Sequence, residues 1–331
     1  MDIKTRRLIY LSLILIFLLA APIMIFYTAG YRYNWQKNKI EQDGVLIADV
    51  IPASAQFLLD GSALSETRPL RLPNLLPNNY VLQARKDGYF PWQKKLEIKS
   101  GQTVLFYDIM LFKKSLPQLI SADANPLAPL KDKELAYQPK TEPLSYFTQN
   151  SDEATLVLKN HFSPLLGSPQ LIASLPLDSY LLQEGRDNYL LAISEEKDKI
   201  FLIKTDDKKT PPLELKGGSA IWGENSKNNY LSYYDNAEWW VFDPQTKKTE
   251  MIARYSGDLK KVLPLPNAPY FVFLTGNELR LTELDDRDER NTPTLYHGQE
   301  ILNFWLDKEG KNVYFLDKIG GKTGLFQLEI Q

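Results

Sequence analysis

The chain has 331 residues, with 39 Lys plus Arg against 41 Asp plus Glu, a formal net charge of −2. It therefore lacks the basic excess of a nucleic-acid binder, and no nucleic-acid partner is expected. No cysteine and only two histidines occur, which excludes a disulfide framework, thiolate metal sites, a cysteine nucleophile and a lipid-modified N-terminal cysteine.

Residues 1–7 carry Lys4, Arg6 and Arg7. Residues 8–29 contain no charge and read LIYLSLILIFLLAAPIMIFYTA. At 1.5 Å per residue this run crosses a hydrocarbon core of about 30 Å, so a transmembrane anchor helix is expected, bent at Pro22. The basic start places the N-terminus in the cytoplasm and the bulk of the chain outside, a single-pass arrangement in the cell membrane. Arg32, Lys37 and Lys39 on the far side pull against that orientation. Tyr27, Tyr31, Tyr33 and Trp35 gather where amphipathic rings favour the headgroup layer. A cleaved signal peptide is the competing reading; the long apolar run and the lack of a clean A-x-A site favour retention.

Residues 30–43 show no apolar period and read as a juxtamembrane spacer. From residue 44 short β-prone runs follow at 45–50, 56–59, 80–85, 92–98 and 103–110. The dipeptides Asp60-Gly61, Asp87-Gly88 and Ser100-Gly101 separate some of them and supply positive φ. Prolines 52, 69, 73, 77 and 91 fall at run edges, where a missing donor does little harm. An antiparallel β-sandwich over residues 44–112 is expected.

The stretches Pro52-Ala53-Ser54-Ala55, Phe57-Leu58-Leu59-Asp60-Gly61, Arg68-Pro69-Leu70, Leu75-Leu76-Pro77-Asn78-Asn79-Tyr80 and Asp87-Gly88-Tyr89 with Trp92 resemble a PEGA domain, a small β-module of bacterial and archaeal surface proteins. Ala53 stands where that family has Glu, Ser54 where it has Gly, and Asn79 replaces a family glycine. The resemblance implies a structural role for these positions and a cell-surface setting.

The remainder repeats. Strand-like runs begin near Leu190, Leu231, Phe271 and Val313, at intervals of 41, 40 and 42 residues. Each is followed by a second run, near Ile200, Trp240, Leu279 and Leu325, and an earlier copy lies at residues 145–147 and 155–158. A repeat of about 40–45 residues built of short strands and tight turns points to a β-propeller over residues 113–331, here of about five blades. A degenerate copy within 121–144 would raise the count to six or seven. The segment Phe304-Trp305-Leu306-Asp307-Lys308-Glu309-Gly310-Lys311-Asn312-Val313-Tyr314-Phe315 resembles the strand–turn–strand of TolB-like propeller repeats. Residues 116–120 are placed to complete the last blade and cover its edge. The fold class is thus all-β: an N-terminal transmembrane helix, a small PEGA-like β-sandwich and a WD40-like or TolB-like propeller.

Catalytic patterns are wanting. His161 and His297 stand in loop contexts without carboxylates at metal-ligand spacing, and no G-x-S-x-G occurs. The run 285–290 alternates charge, which suits a solvated turn rather than a calcium loop, and 195–199 and 206–209 read likewise. Gly321-Lys322-Thr323 lacks the P-loop's first glycine, since residue 316 is Leu, and is expected in a hairpin turn. Trp222, Trp239, Trp240 and Trp305 are expected in the core between sheets, and adjacent Trp239 and Trp240 must face opposite ways.

No catalytic, cofactor or metal residue is nominated, and binding residues are unassigned. The expected function is that of a non-enzymatic binding or scaffold protein of the cell envelope, its partners the membrane and either wall polymer or other envelope proteins. The competing class is an envelope hydrolase or lyase with carboxylates on the channel face of the propeller.

Overall fold

A computed structural model describes residues 3–35, 37–64, 67–123, 125–136, 141–143, 146–150, 153–158, 170–176, 178–195, 198–207, 210–224 and 229–331. The chain divides into two compact units, residues 1–112 with Arg287–Glu289, and residues 113–286 with 290–331.

The first unit opens with α1 (Ile3–Thr28), which runs through Pro22. Its stretch Thr5–Thr28 is long and apolar enough to cross a membrane and is buried nowhere along its length. The hydroxyls of Ser12 and Thr28 donate back to the Leu8 and Met24 carbonyls, satisfying the only Ser and Thr side chains in the apolar run. The last turn has orphan carbonyls, and cations are favoured there. Arg32 fills that role: its guanidinium donates to Tyr27 O at 2.7 Å and covers the Tyr27 ring at 3.8 Å.

The stretch expected as a spacer is a hairpin, β1 (Tyr31–Asn34) with β2 (Lys39–Gln42). It is tied to the strands that follow, because Arg32 donates to Asn74 Oδ1 at 3.2 Å and Lys37 Nζ to Pro77 O at 2.7 Å.

Those strands are β3 (Gly44–Ile51), β4 (Gln56–Leu59), β5 (Ser62–Ala63), β6 (Leu70–Leu75), β7 (Asn78–Arg85), β8 (Trp92–Ile98) and β9 (Thr103–Met110). They form two sheets, ordered β6-β3-β9 and β5-β4-β7-β8. Alternation puts Leu46, Ala48 and Val50 of β3 and Trp92, Leu96 and Ile98 of β8 into one shared core with Phe57, Leu82 and Phe106. The sandwich is not wholly antiparallel as its sequence suggests: β3 pairs with β9 in parallel, Val45 opposite Thr103 and Ile51 opposite Met110. Pro73 lies inside β6, which tolerates it as an edge strand. The Asp60-Gly61 turn has φ of 48° and 80°, the conformation foreseen for it. Residues Arg287–Glu289 complete the unit. Lys94 Nζ, in a residue with no exposed surface, donates to Glu289 O at 2.9 Å, and the Arg287 guanidinium lies 3.8 Å from the Phe106 ring centroid.

The second unit contains β10 (Gln118–Ser121), a 3-10 turn (Ala128–Asp132), β11 (Thr141–Pro143), β12 (Tyr146–Asn150), β13 (Glu153–Leu158) and β14 (Gln170–Pro176). Then come β15 (Tyr180–Glu184), β16 (Tyr189–Ser194), β17 (Lys199–Lys204), β18 (Leu213–Lys216), β19 (Ser219–Glu224), β20 (Asn229–Tyr234), β21 (Glu238–Asp243) and β22 (Lys248–Arg254). The last are β23 (Leu259–Pro264), β24 (Tyr270–Thr275), β25 (Glu278–Glu283), β26 (Thr294–His297), β27 (Ile301–Leu306), β28 (Asn312–Ile319) and β29 (Lys322–Glu329).

These strands form five sheets among the described residues. Two are four-stranded meanders, β19-β20-β21-β22 and β23-β24-β25-β26. A third, β15-β16-β17-β18, carries β11 on its outer side of β15 and so has five strands, and β12-β13-β14 has three. The last is ordered β10-β29-β28-β27, so the strand expected to cover the final edge does so, Gln118 opposite Gln327 and Leu119 opposite Phe326. The two ends of the unit thereby share one sheet, which removes the edge that β29 would otherwise expose. The repeating runs of the sequence are the two middle strands of each four-stranded sheet, β16 and β17 of the five-stranded one, and β12 and β13 of the three-stranded one.

Both faces of the inner sheets are covered. Leu191, Ile200 and Leu202 pack on Trp222, Leu231, Tyr233 and Phe242 of the next sheet. From that sheet Tyr230, Tyr234, Trp239 and Val241 pack on Leu259, Val262, Phe271 and Phe273 of the one after. Successive residues on one strand thus serve different interfaces, which is why β20 and β24 read as unbroken apolar runs rather than as alternating ones. All-β architecture with blade-like sheets in series follows from this arrangement.

Candidate functional site

The first strands of successive sheets adjoin one another, β19 beside β23 and β23 beside β27. Two of them carry a β-bulge at the same place. In β23, Leu259 pairs with Thr275 and Lys261 with Leu274, leaving Lys260 as the extra residue. In β27, Ile301 pairs with Asp317 and Asn303 with Leu316, leaving Leu302 extra. A bulge re-aims the side chains around it, and such irregularities recur beside functional positions.

The two bulges bring polar groups together on otherwise apolar strands. Lys261 Nζ donates to Asn303 Oδ1 at 2.9 Å and to Phe304 O at 2.7 Å. The same ammonium lies 5.3 Å from the ring centroids of Phe304 and of Trp305, within cation–π range. Lys260 is exposed, with Nζ 3.5 Å from Ile301 O. Burial pulls the Lys261 amine down to about 8 from an ordinary 10.5, with no carboxylate among the described residues to offset that effect. Asn303 Oδ1 also accepts from Phe304 N at 2.8 Å. Its oxygen is therefore held by two donors, which leaves the amide nitrogen facing away from them.

A cavity of about 570 Å³ is lined by Gln118, Lys311, Asn312, Gln327, Glu329 and Gln331, among others, where β10 meets β29. Its charges are already spent: Glu329 pairs with Lys113, and Lys311 with Glu309 at 2.6 Å. Gln327 Nε2 donates to Asn312 Oδ1 at 2.8 Å.

Buried acids serve the framework. Asp317, fully buried, accepts from Glu300 N at 2.8 Å, Gln299 N at 3.2 Å and the Tyr296 hydroxyl at 3.1 Å. Asp178 holds Ser194 Oγ at 2.6 Å and Ser179 N at 2.7 Å at the equivalent corner of an earlier sheet. Shifted carboxylates are lowered, as ordinary charge and hydrogen-bond partners dictate: Glu41 by Lys39, Asp288 by the Lys95 backbone N–H, and Glu238, against the opposing effect of burial, by Arg254 and Lys216. A general acid would require the opposite shift.

His297 is exposed, with Nδ1 3.3 Å from Glu278 Oε1 on the neighbouring strand, and His161 lies outside the described residues. No group of three or more His, Asp or Glu suited to a metal occurs among the described residues. Gly320 and Gly321, with φ of 57° and 81°, form the hairpin turn expected between the last two strands. Asp285–Arg290 lies in the connection from β25 to β26, largely exposed but not free, since Arg290 pairs with Glu250 and Asp288 accepts from Lys95 N. Trp222 and Trp239 are core residues as expected. Trp240 and Trp305 are only partly buried; the side-chain alternation that sinks Trp239 turns Trp240 to the other face of β21.

The Lys260, Lys261 and Asn303 cluster escaped sequence reasoning. Two lysines within a strand read as a solvated stretch, and only the register places LKK of β23 level with ILN of β27. Aligning the repeats by their first strands would have put Lys261 over Asn303.

No protein-family model and no curated protein matches the chain. Among solved structures it is similar to the dihydro-heme d1 dehydrogenase NirN in complex with DHE, at 13% identity and a TM-score of 0.40, over 86% of this chain and 74% of that one. It is similar to Kluyveromyces lactis Hsv2 at 16% identity and a TM-score of 0.32, over 57% and 61%. An auxiliary nutrient binding protein of Bacteroides thetaiotaomicron follows at 11% identity and a TM-score of 0.28, over 85% of each. Likenesses of this degree assign no chemistry to the chain.

Proposed function

We propose that this chain is a non-enzymatic binding protein of the bacterial cell envelope, held in the membrane by α1 with its β-units outside. The observation that carries the reading is the wholly unburied apolar helix joined through Arg32 and the β1–β2 hairpin to folded β-modules. A long apolar helix that none of the described residues buries finds its apolar surroundings in lipid. On this reading residues 44–112 form a PEGA-like module near the membrane, and the blade-like sheets of the second unit offer their first strands to a ligand. Wall polymer or a second envelope protein is the intended partner.

Sedimentation with isolated cell-wall sacculi tests the wall half of the proposal. The detergent-solubilised full chain is expected to pellet with sacculi and to stay in solution without them. Retention in the supernatant at physiological salt would eliminate wall polymer and leave a protein partner.

A further inference from the structure

Two lysines of β23 reach across to β27, Lys261 to Asn303 and Phe304 and Lys260 to Ile301, and no carboxylate among the described residues pairs with either. Lys261 Nζ uses two of its three hydrogens on Asn303 Oδ1 and Phe304 O, at 2.9 Å and 2.7 Å, and has one left. Asn303 Oδ1 is occupied by Lys261 and by Phe304 N, so its Nδ2 hydrogens point away from those two donors. Lys260, one residue along, is exposed and carries a second ammonium. Lys261 is partly buried against Phe304 and Trp305, and a cation in such surroundings ordinarily has a counter-charge. Among the described residues every carboxylate at ion-pair distance of an ammonium belongs to some other lysine, and burial alone sets the amine's affinity for its proton.

We infer that Lys260, Lys261 and Asn303 form a binding subsite for an oxyanion, a carboxylate or phosphate group of a small ligand. The geometry is built rather than incidental. Both strands carry a bulge immediately before these residues, and a bulge in one strand alone would shift Lys261 out of level with Asn303 and turn it to the opposite face. An oxyanion here would take the free Lys261 hydrogen and the Asn303 amide together, two charge-assisted or amide donors on one acceptor group. It would also restore the missing counter-charge. A neutral sugar or an amine would leave the ammonium unmatched, so charge rather than ring shape is the discriminating property.

The inference deepens the binding reading of the second unit and is independent of where the chain resides. Failure of sacculus binding would leave it standing, and its own failure would leave the anchor untouched.

The test is a titration of the full chain in detergent micelles at pH 7, followed by tryptophan fluorescence because Trp305 lies beside the ammonium. Inorganic phosphate and D-galacturonate are the two anionic probes, and D-galactose is the neutral control. Saturable change with at least one anion and none with galactose is expected; saturation by phosphate alone marks a phosphoryl ligand, and by galacturonate alone a carboxylate one. Lys261→Met is expected to weaken the binding roughly tenfold or more, a loss of one charge-assisted contact. Lys311→Met, which removes an exposed lysine paired with Glu309, is expected to leave it unchanged. Asn303→Asp guards against a misfolded Lys261 variant, since it keeps the acceptor that Lys261 and Phe304 N use while presenting a negative charge to the ligand. It is expected to abolish anion binding and to keep or raise the melting temperature. Equal responses to galactose and the anions, no response to either anion, or undiminished anion binding by the folded Asn303→Asp variant would each overturn the inference.

Discussion

Lys261 and Asn303 occupy the same place in two successive sheets, each just after a β-bulge, and the ammonium of the first lies 2.9 Å from the amide oxygen of the second. The pairing leaves a cation partly desolvated, which has consequences for stability as well as for binding.

Burial lowers Lys261 to about 8, below the 10.5 of an exposed lysine. Between those values the unfolded chain holds a proton that the folded chain has released, so stability rises with pH across that window. The penalty is fully present below pH 8 and amounts to at most about 3 kcal/mol. Lys261→Met should therefore be more stable than the parent at pH 7 in urea titrations, with the gap narrowing by pH 10. A gap that is the same at both pH values would show that the charge is not the cause.

Trp239 has no exposed surface, meets Phe271 edge-on at 4.8 Å between ring centroids, and donates its indole N–H to Ser232 at 2.8 Å. Trp239→Ala should cost about 3–5 kcal/mol, the range for a buried aromatic. Trp240→Ala, at a partly buried position, should cost clearly less. Thermal melting of the two variants ranks them, and the reverse order would contradict the packing.

Asp317 gathers two backbone N–H groups and the Tyr296 hydroxyl in a fully buried corner, close to Gly298, where an added Cβ would fall 2.7 Å from its Oδ2. Asp317→Ala strands those donors, at about 1–3 kcal/mol for each one left unsatisfied. Gly298→Ala should destabilise the same corner by crowding Ile301 and Asp317. Normal denaturation midpoints for both variants would be incompatible with this arrangement.

Strand β10 covers the edge of β29 from the other end of its unit. Deleting residues 113–121 should bare that edge and drive self-association, read by light scattering during refolding. A monomeric, normally melting deletion variant would mean that the shared sheet contributes little.

Much of this fold is written in local pattern. Strands β4, β8 and β9 coincide with alternating or β-branched runs, and the Asp60-Gly61 turn after β4 has the backbone that dipeptide favours. Strand β6 was invisible because Pro69 and Pro73 break its pattern, and only its edge position makes them harmless. The β1–β2 hairpin lacks an apolar alternation because it is held by ties such as Arg32 to Asn74 rather than by a core of its own. Parallel pairing of β3 with β9 links residues far apart in sequence, and strand direction leaves no local trace. The Lys261 cluster escaped for a related reason: bulges shift register without any mark in composition, so the coincidence of Lys261 and Asn303 exists only once sheets are stacked.

Extraction of intact cells with alkaline carbonate, combined with protease added from outside, distinguishes an anchored, outward-facing chain from a released or inward-facing one. A 38.0 kDa chain is expected to remain in the membrane pellet after the wash and to be degraded by external protease once the outer barrier is opened. A shorter chain recovered in the soluble fraction would show that α1 is removed, and full protection of the membrane-bound chain would place the β-units on the inner side.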